Sequence, residues 1–138
     1  MIQRIQTIYL LLAALVLGLL YIPLSIGTSA PSSEGIYADG VFNLYDNQVF
    51  LGLNLVPLLD YFTAIFLFGN RKIQLLVTSI GSLFSSVLAG LYTYMVLNHS
   101  AQIAAGITMP LLALLFGYLA FRNIKKDEDI VRSADRLR

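Results

Sequence analysis

The sequence predicts an all-α integral membrane protein: a four-helix bundle with both termini in the cytoplasm and one long extracytoplasmic loop. Three observations predict it. Of 138 residues, 57% are hydrophobic and only 12% charged, whereas a soluble domain carries about 25% charged residues to face water. Four apolar runs, about residues 5–24, 49–68, 73–97 and 103–121, each approach the ~20 residues that cross a hydrocarbon core. Runs that long in lipid must satisfy their own backbone hydrogen bonds, which makes them helices. The third observation is where the charges fall. All nine basic residues, Arg4, Arg71, Lys72, Arg122, Lys125, Lys126, Arg132, Arg136 and Arg138, lie at the N-terminus, the second connection or the tail, and residues 25–48 hold none. Basic residues stay on the cytoplasmic side, so that long connection is expected outside.

The elements follow in order within a single membrane domain, residues 1–138. The first helix, about 5–24, follows Arg4. Thr28-Ser29-Ala30 before Pro31 resembles a signal cleavage site, but the apolar run exceeds the ~7–15 residues of a signal core, so it is expected to remain as a helix. The outer loop, 25–48, mixes Gly, Ser and Pro with Tyr37, Phe42 and Tyr45, and Phe50 follows it. Asp39-Gly40 is a tight-turn pair. The aromatics suit either a cap on the bundle or a docking site for a partner. Glu34, Asp39 and Asp46 lack the spacing of a calcium loop, so no metal is expected.

The second helix, about 49–68, carries Asn54, Pro57 and Asp60. Pro57 cannot donate to the Leu53 carbonyl, which predicts a bend and leaves an acceptor for Asn54 or a neighbour. Asp60 is the one ionisable acid or base within a span. An Asp at a helix centre costs ~2.5–3.5 kcal/mol on the insertion scale, so it is expected against protein or water. Arg71, ~16 Å away along the axis at 1.5 Å per residue, is too distant to pair. Matched depths make Ser82, Ser85 and Ser86 the expected hydroxyl partners, with a protonated carboxyl or a charge from another subunit left open. An intramembrane polar site of Asp60, Asn54, Ser82, Ser85 and Ser86 is therefore the candidate site.

The third helix, about 73–97, places Thr78, Ser82, Ser86 and Gly90 at four-residue steps, beside a parallel row of Gly81, Ser85 and Ala89. Small residues at this spacing let helices approach closely where lipid removes the hydrophobic force, so the first row is expected as the packing seam of the bundle or of an interface. His99 lies in the short connection to the fourth helix, about 103–121. The tail, 122–138, is expected to be partly helical. Ile130, Ala134 and Leu137 fall on one face, and Glu128–Arg132 is a supporting i, i+4 pair. With Lys125, Lys126 and Arg132 that face suits anionic lipid or a partner's cytoplasmic domain.

The opening Met1-Ile2-Gln3-Arg4-Ile5-Gln6-Thr7-Ile8-Tyr9-Leu10-Leu11-Leu12, the turn Asn70-Arg71-Lys72-Ile73-Gln74 and the tail from Lys126 to Arg138 together resemble a family of small four-helix inner-membrane proteins from Bacteroidota. That family is catalogued as a domain of unknown function. The resemblance covers the whole chain and implies a multi-pass inner-membrane protein; it implies no activity.

Function classes narrow by subtraction. With no cysteine and one histidine, thiol chemistry, Fe–S clusters and multi-histidine sites are excluded within this chain. The net charge of +1 gives no footprint for nucleic acid. One membrane Asp and one loop His do not assemble a catalytic set, so no enzyme and no cofactor are expected. The expected role is a non-catalytic accessory or assembly subunit of a larger inner-membrane complex, for example in protein translocation, envelope export or respiration. Its expected partners are the lipid bilayer and larger integral membrane proteins, and self-association remains open. The alternative is a small dimeric proton- or cation-coupled transporter built on Asp60.

Overall fold

The computed structural model describes residues 2–22, 24–30, 35 and 39–135, with the backbone alone for residues 2–4, 134 and 135. Four helices form: α1 Ile2–Gly18, α2 Gln48–Phe66, α3 Arg71–Asn98 and α4 Thr108–Asp135. Among the described residues three segments are long and apolar enough to cross a membrane, Gln48–Gly69, Arg71–Asn98 and Ala105–Ser133, and Ile5–Tyr21 makes a shorter apolar helix. Each helix packs mainly on its neighbours in a ring, α1 on α2, α2 on α3, α3 on α4 and α4 on α1. The connections leave α1 and α3 antiparallel to α2 and α4, so the bundle has a loop end and a tail end.

Every helix buries a line with steps of four and three. The lines are Gln6, Leu10, Ala13, Leu17 and Leu20 from α1 and the turn after it; Phe50, Asn54, Pro57, Tyr61 and Ala64 of α2; Gln74, Thr78, Gly81, Ser85, Leu88 and Tyr92 of α3; and Pro110, Ala113, Gly117, Ala120, Ile124 and Asp127 of α4. A mean step of 3.5 residues keeps one stripe facing its neighbours, as in a coiled coil. The contents of the stripes are unusual for a water-soluble bundle. Amides, hydroxyls, Ala and Gly lie inside, while Leu11, Leu15, Leu76, Leu83, Leu111 and Leu115 are exposed. Two buried polar side chains on α3 are satisfied: Gln74 donates to the Ala64 carbonyl at 2.9 Å and Thr78 to the Gln74 carbonyl at 2.8 Å.

Asparagine side chains start two of the helices. Asn47 accepts from the Val49 N–H at 2.8 Å and Asn70 from the Ile73 N–H at 3.3 Å, each answering one of the unpaired donors of a first helical turn. The Asn70 cap ends the tight turn after α2 and lets α3 begin at once.

The loop end is closed by a cap that the helical expectation did not contain. Three two-residue strands, β1 Gly27–Thr28, β2 Val41–Phe42 and β3 Gln102–Ile103, form an antiparallel sheet in the order β2-β1-β3. Gly27 faces Phe42 on one side and Ile103 on the other. The sheet therefore ties the long loop to the α3–α4 connection. Asp39-Gly40 makes the turn into β2: the Asp39 carboxyl accepts from the Val41 N–H at 3.1 Å, and Gly40 takes φ of 80°. Below the sheet Phe42, Phe50 and Tyr92 meet edge to face, with centroids 5.5–6.1 Å apart, among buried Leu20, Ile26, Leu44, Val96 and Ile107. Tyr45 donates to the Tyr21 carbonyl at 2.7 Å and so fastens the loop to the end of α1.

Residues 103–107 belong to the cap and a 3-10 turn, so the fourth helix starts at Thr108 rather than near 103. It then runs unbroken through the expected end of the span at 121 to Asp135. At the tail end Gln6 of α1 donates to the carboxylate of Asp127, and both are buried. This contact fixes the α4 extension against the start of the first helix. Glu34, Tyr37, Arg136, Leu137 and Arg138 lie outside the described residues.

Candidate functional site

At the middle of the bundle the polar centre is Tyr61, one residue beyond the aspartate. Tyr61 is fully buried, and its hydroxyl crosses to α3, 3.2 Å from the Ser82 hydroxyl and 3.3 Å from that of Ser85. Both serines give their protons to carbonyls one turn back, Ser82 to Thr78 and Ser85 to Gly81, each at 2.9 Å. Their oxygens are thereby left as acceptors for the one tyrosine proton. Gly117 of α4 closes the node, because a Cβ there would stand 2.4 Å from the Tyr61 hydroxyl and 2.8 Å from that of Ser82. Three helices thus converge on a single phenol.

The serines expected to serve Asp60 therefore serve Tyr61. Successive helical residues point about 100° apart, and the buried line of α2 passes through 61 and not 60. Asp60 lies on the α2–α3 flank, where a Cβ at Gly81 would be 3.2 Å from the Asp60 Cβ. It is half-buried. One carboxyl oxygen is covered by protein and has no hydrogen-bond partner. Ser86 is exposed and bonds the Leu83 carbonyl at 2.7 Å.

Asn54, the remaining member of the expected site, is fully buried about two turns nearer the loop end. It donates to the Leu17 carbonyl of α1 at 3.2 Å rather than to the carbonyl freed by Pro57, and α2 continues through that proline. Its amide oxygen and the Tyr92 hydroxyl are buried without a partner. The Tyr21 hydroxyl, which donates to the Leu51 carbonyl at 3.2 Å, interacts with both side chains. The structure thus splits the expected polar site in two: a tyrosine–serine node at mid-bundle and an asparagine–tyrosine pair beneath the cap, with Asp60 on the flank.

The row expected as a packing seam diverges along its length. Thr78 is buried and Ser82 half-buried, but Ser86 and Gly90 are exposed, and a Cβ at Gly90 would meet nothing within 4 Å. A strict four-residue step turns about 40° past a full circle each time, so the row winds off the contact face. The parallel row Gly81, Ser85 and Ala89 is buried throughout. In the tail Ile130, Lys125, Lys126 and Arg132 are not buried, with Ile130 half exposed, while the Ala134 side chain and Leu137 fall outside what is described. Among the described residues no three acidic or histidine side chains gather to hold a metal ion.

Sequence reasoning passed over Tyr61, Tyr92 and Gly117. The available signal was their place on the four-and-three lines, which no polar–apolar contrast marked.

No curated protein and no solved structure matches the chain. A match does extend over residues 2–137, to the family described as Domain of unknown function (DUF4293), and the chain belongs to that family.

Proposed function

We propose that this chain is a non-catalytic accessory or assembly subunit of a larger complex in a bacterial inner membrane, with the resemblance pointing to Bacteroidota. In this reading it spans the membrane four times with both ends in the cytoplasm. The distribution of side chains supports lipid as the surrounding medium, because large apolar groups cover the outside of a bundle that also buries amides, hydroxyls, Ala and Gly. The seven basic residues among those described lie toward the tail end, and the sequence of the 25–48 loop contains none, which supports the orientation.

The observation that carries the role is Asp60. It stands in the middle of a span, half-buried on the flank of the bundle, with one carboxyl oxygen that no group among the described residues answers. The bundle interior at that depth is filled by Tyr61, Ser82, Ser85 and the close approach of Gly117, which is the packing of a support element. A polar group from a second membrane protein, seated on the α2–α3 flank, would satisfy the carboxyl and remove most of its ~2.5–3.5 kcal/mol insertion cost.

The test is purification in mild detergent at native expression. Wild-type protein is expected to elute at fixed stoichiometry with a larger integral membrane protein. Asp60→Asn is expected to weaken that association by about tenfold or more, while the variant still inserts and unfolds at the wild-type midpoint. Recovery of the wild type as a free monomer would contradict the role. The transporter alternative uses the same outward position of Asp60 as a meeting point of two copies. It predicts instead that the purified chain alone carries proton-coupled flux in proteoliposomes and that Asp60→Asn abolishes it.

A further inference from the structure

We propose that the groove between the α2–α3 turn and the α4 extension binds the phosphate headgroup of an anionic membrane lipid. The inference rests on the membrane reading above and adds a ligand site to it. The groove is lined by Phe68, Arg71, Lys72, Glu128 and Val131, and Lys72, Glu128 and Val131 continue with Arg132 into an adjoining hollow. Three cations from two distant stretches of chain converge there, and Glu128 is the one acid among them.

Two features point to an anion. Arg71 and Lys72 begin α3, whose first turn contains no acidic residue. The N-terminal end of a helix carries partial positive charge, so basic side chains there are unfavourable for the helix itself. A bound phosphate relieves the two side chains and the helix end together. The second feature selects a lipid over a soluble anion. Two side chains on the walls of the groove are apolar and uncovered: Phe68 is 63% exposed and Val131 41%, with Phe66, 65% exposed, nearby. Aromatic rings beside basic residues at the end of a span match the headgroup layer, with chains below and phosphates above. A free phosphate has no use for those walls.

The α4 extension supplies the other half of the site. Its register is held by the Gln6–Asp127 contact, one residue before Glu128. The same helix also carries the cations Arg122, Lys125 and Lys126, but the hollow they line contains α4 residues alone. That hollow is the internal control.

The full chain, stripped of lipid in a neutral detergent, is to be titrated with phosphatidylglycerol and separately with phosphatidylcholine, and bound lipid counted by native mass spectrometry. Phosphatidylglycerol is expected to be retained over phosphatidylcholine. Joint replacement of Arg71, Lys72 and Arg132 by Gln is expected to weaken that retention by about tenfold or more. Joint replacement of Arg122, Lys125 and Lys126 by Gln removes the same charge and is expected to leave it nearly unchanged. Lys72→Arg with Arg132→Lys keeps the charges and is expected to keep binding. Equal losses in both triple variants would overturn the site in favour of a diffuse field. So would equal retention of the two lipids, or displacement of the lipid by millimolar inorganic phosphate. Failure of the membrane reading looks different, since the wild-type chain would then stay soluble without detergent.

Discussion

Gly117→Val is expected to destabilise the bundle by about 3 kcal/mol or more, combining ~1–3 kcal/mol of overpacking with hydrogen bonds of about 1 kcal/mol each. The added atoms would have to occupy the space of the Tyr61 hydroxyl, since even a Cβ would be 2.4 Å from it. Tyr61 cannot withdraw while it remains bonded to Ser82 and Ser85 on α3, so α4 must move away or the phenol must leave its acceptors. Either outcome breaks the contact that α2, α3 and α4 share at Tyr61. Unfolding followed by far-ultraviolet circular dichroism during titration with a denaturing detergent would measure the loss. Gly90→Val is the matched control. It lies on α3 with nothing within 4 Å of its Cβ direction, so its unfolding midpoint is expected to stay near wild type. Equal behaviour of the two variants would show that the mid-bundle packing is not as described.

Phe42→Ala is expected to open the cap while leaving the four helices formed. The ring is fully buried and meets both Phe50 and Tyr92 edge to face, and truncating a buried Phe costs about 3–5 kcal/mol. The sheet it supports has two-residue strands, too short to persist without the cluster beneath them. The effect should therefore concentrate in one unit. Amide hydrogen exchange is expected to accelerate at Gly27, Thr28 and the Gln102–Ile103 strand, with little change in the middle of α3. Unchanged protection across those strands would mean that the aromatic cluster does not hold the cap.

The helices were legible because length and apolarity suffice to mark them, and Asn70 and Asp39-Gly40 were legible because caps and turns use specific residues. The cap sheet was not legible. Its strands carry no alternation long enough to register, and β3 falls in residues that read as the start of an apolar span. The packing lines were hidden for a different reason. In water a buried stripe shows as apolar against polar, but here the outside is as apolar as any core, and the stripe is marked by Gln74, Thr78, Gly81, Ser85, Ala113 and Gly117. Reading small residues by fours alone picked out Ser86 and Gly90, which the helical twist carries to the surface. Asp60 stands out in the sequence because it is ionisable, whereas Tyr61, at which three helices meet, reads as one more ring. A carboxyl is conspicuous in composition; convergence of three helices on a hydroxyl exists only in three dimensions.

The most direct measurement follows from a chain that contains no cysteine. Single cysteines at Ala30 and Asn98 on the loop end, and at Gly69 and Ser133 on the tail end, replace exposed residues. Intact cells would be treated with a membrane-impermeant maleimide. Cysteines at 30 and 98 are expected to label at once, and those at 69 and 133 only after the membrane is permeabilised. Labelling at 69 or 133 in intact cells would contradict a four-pass chain with its basic end in the cytoplasm.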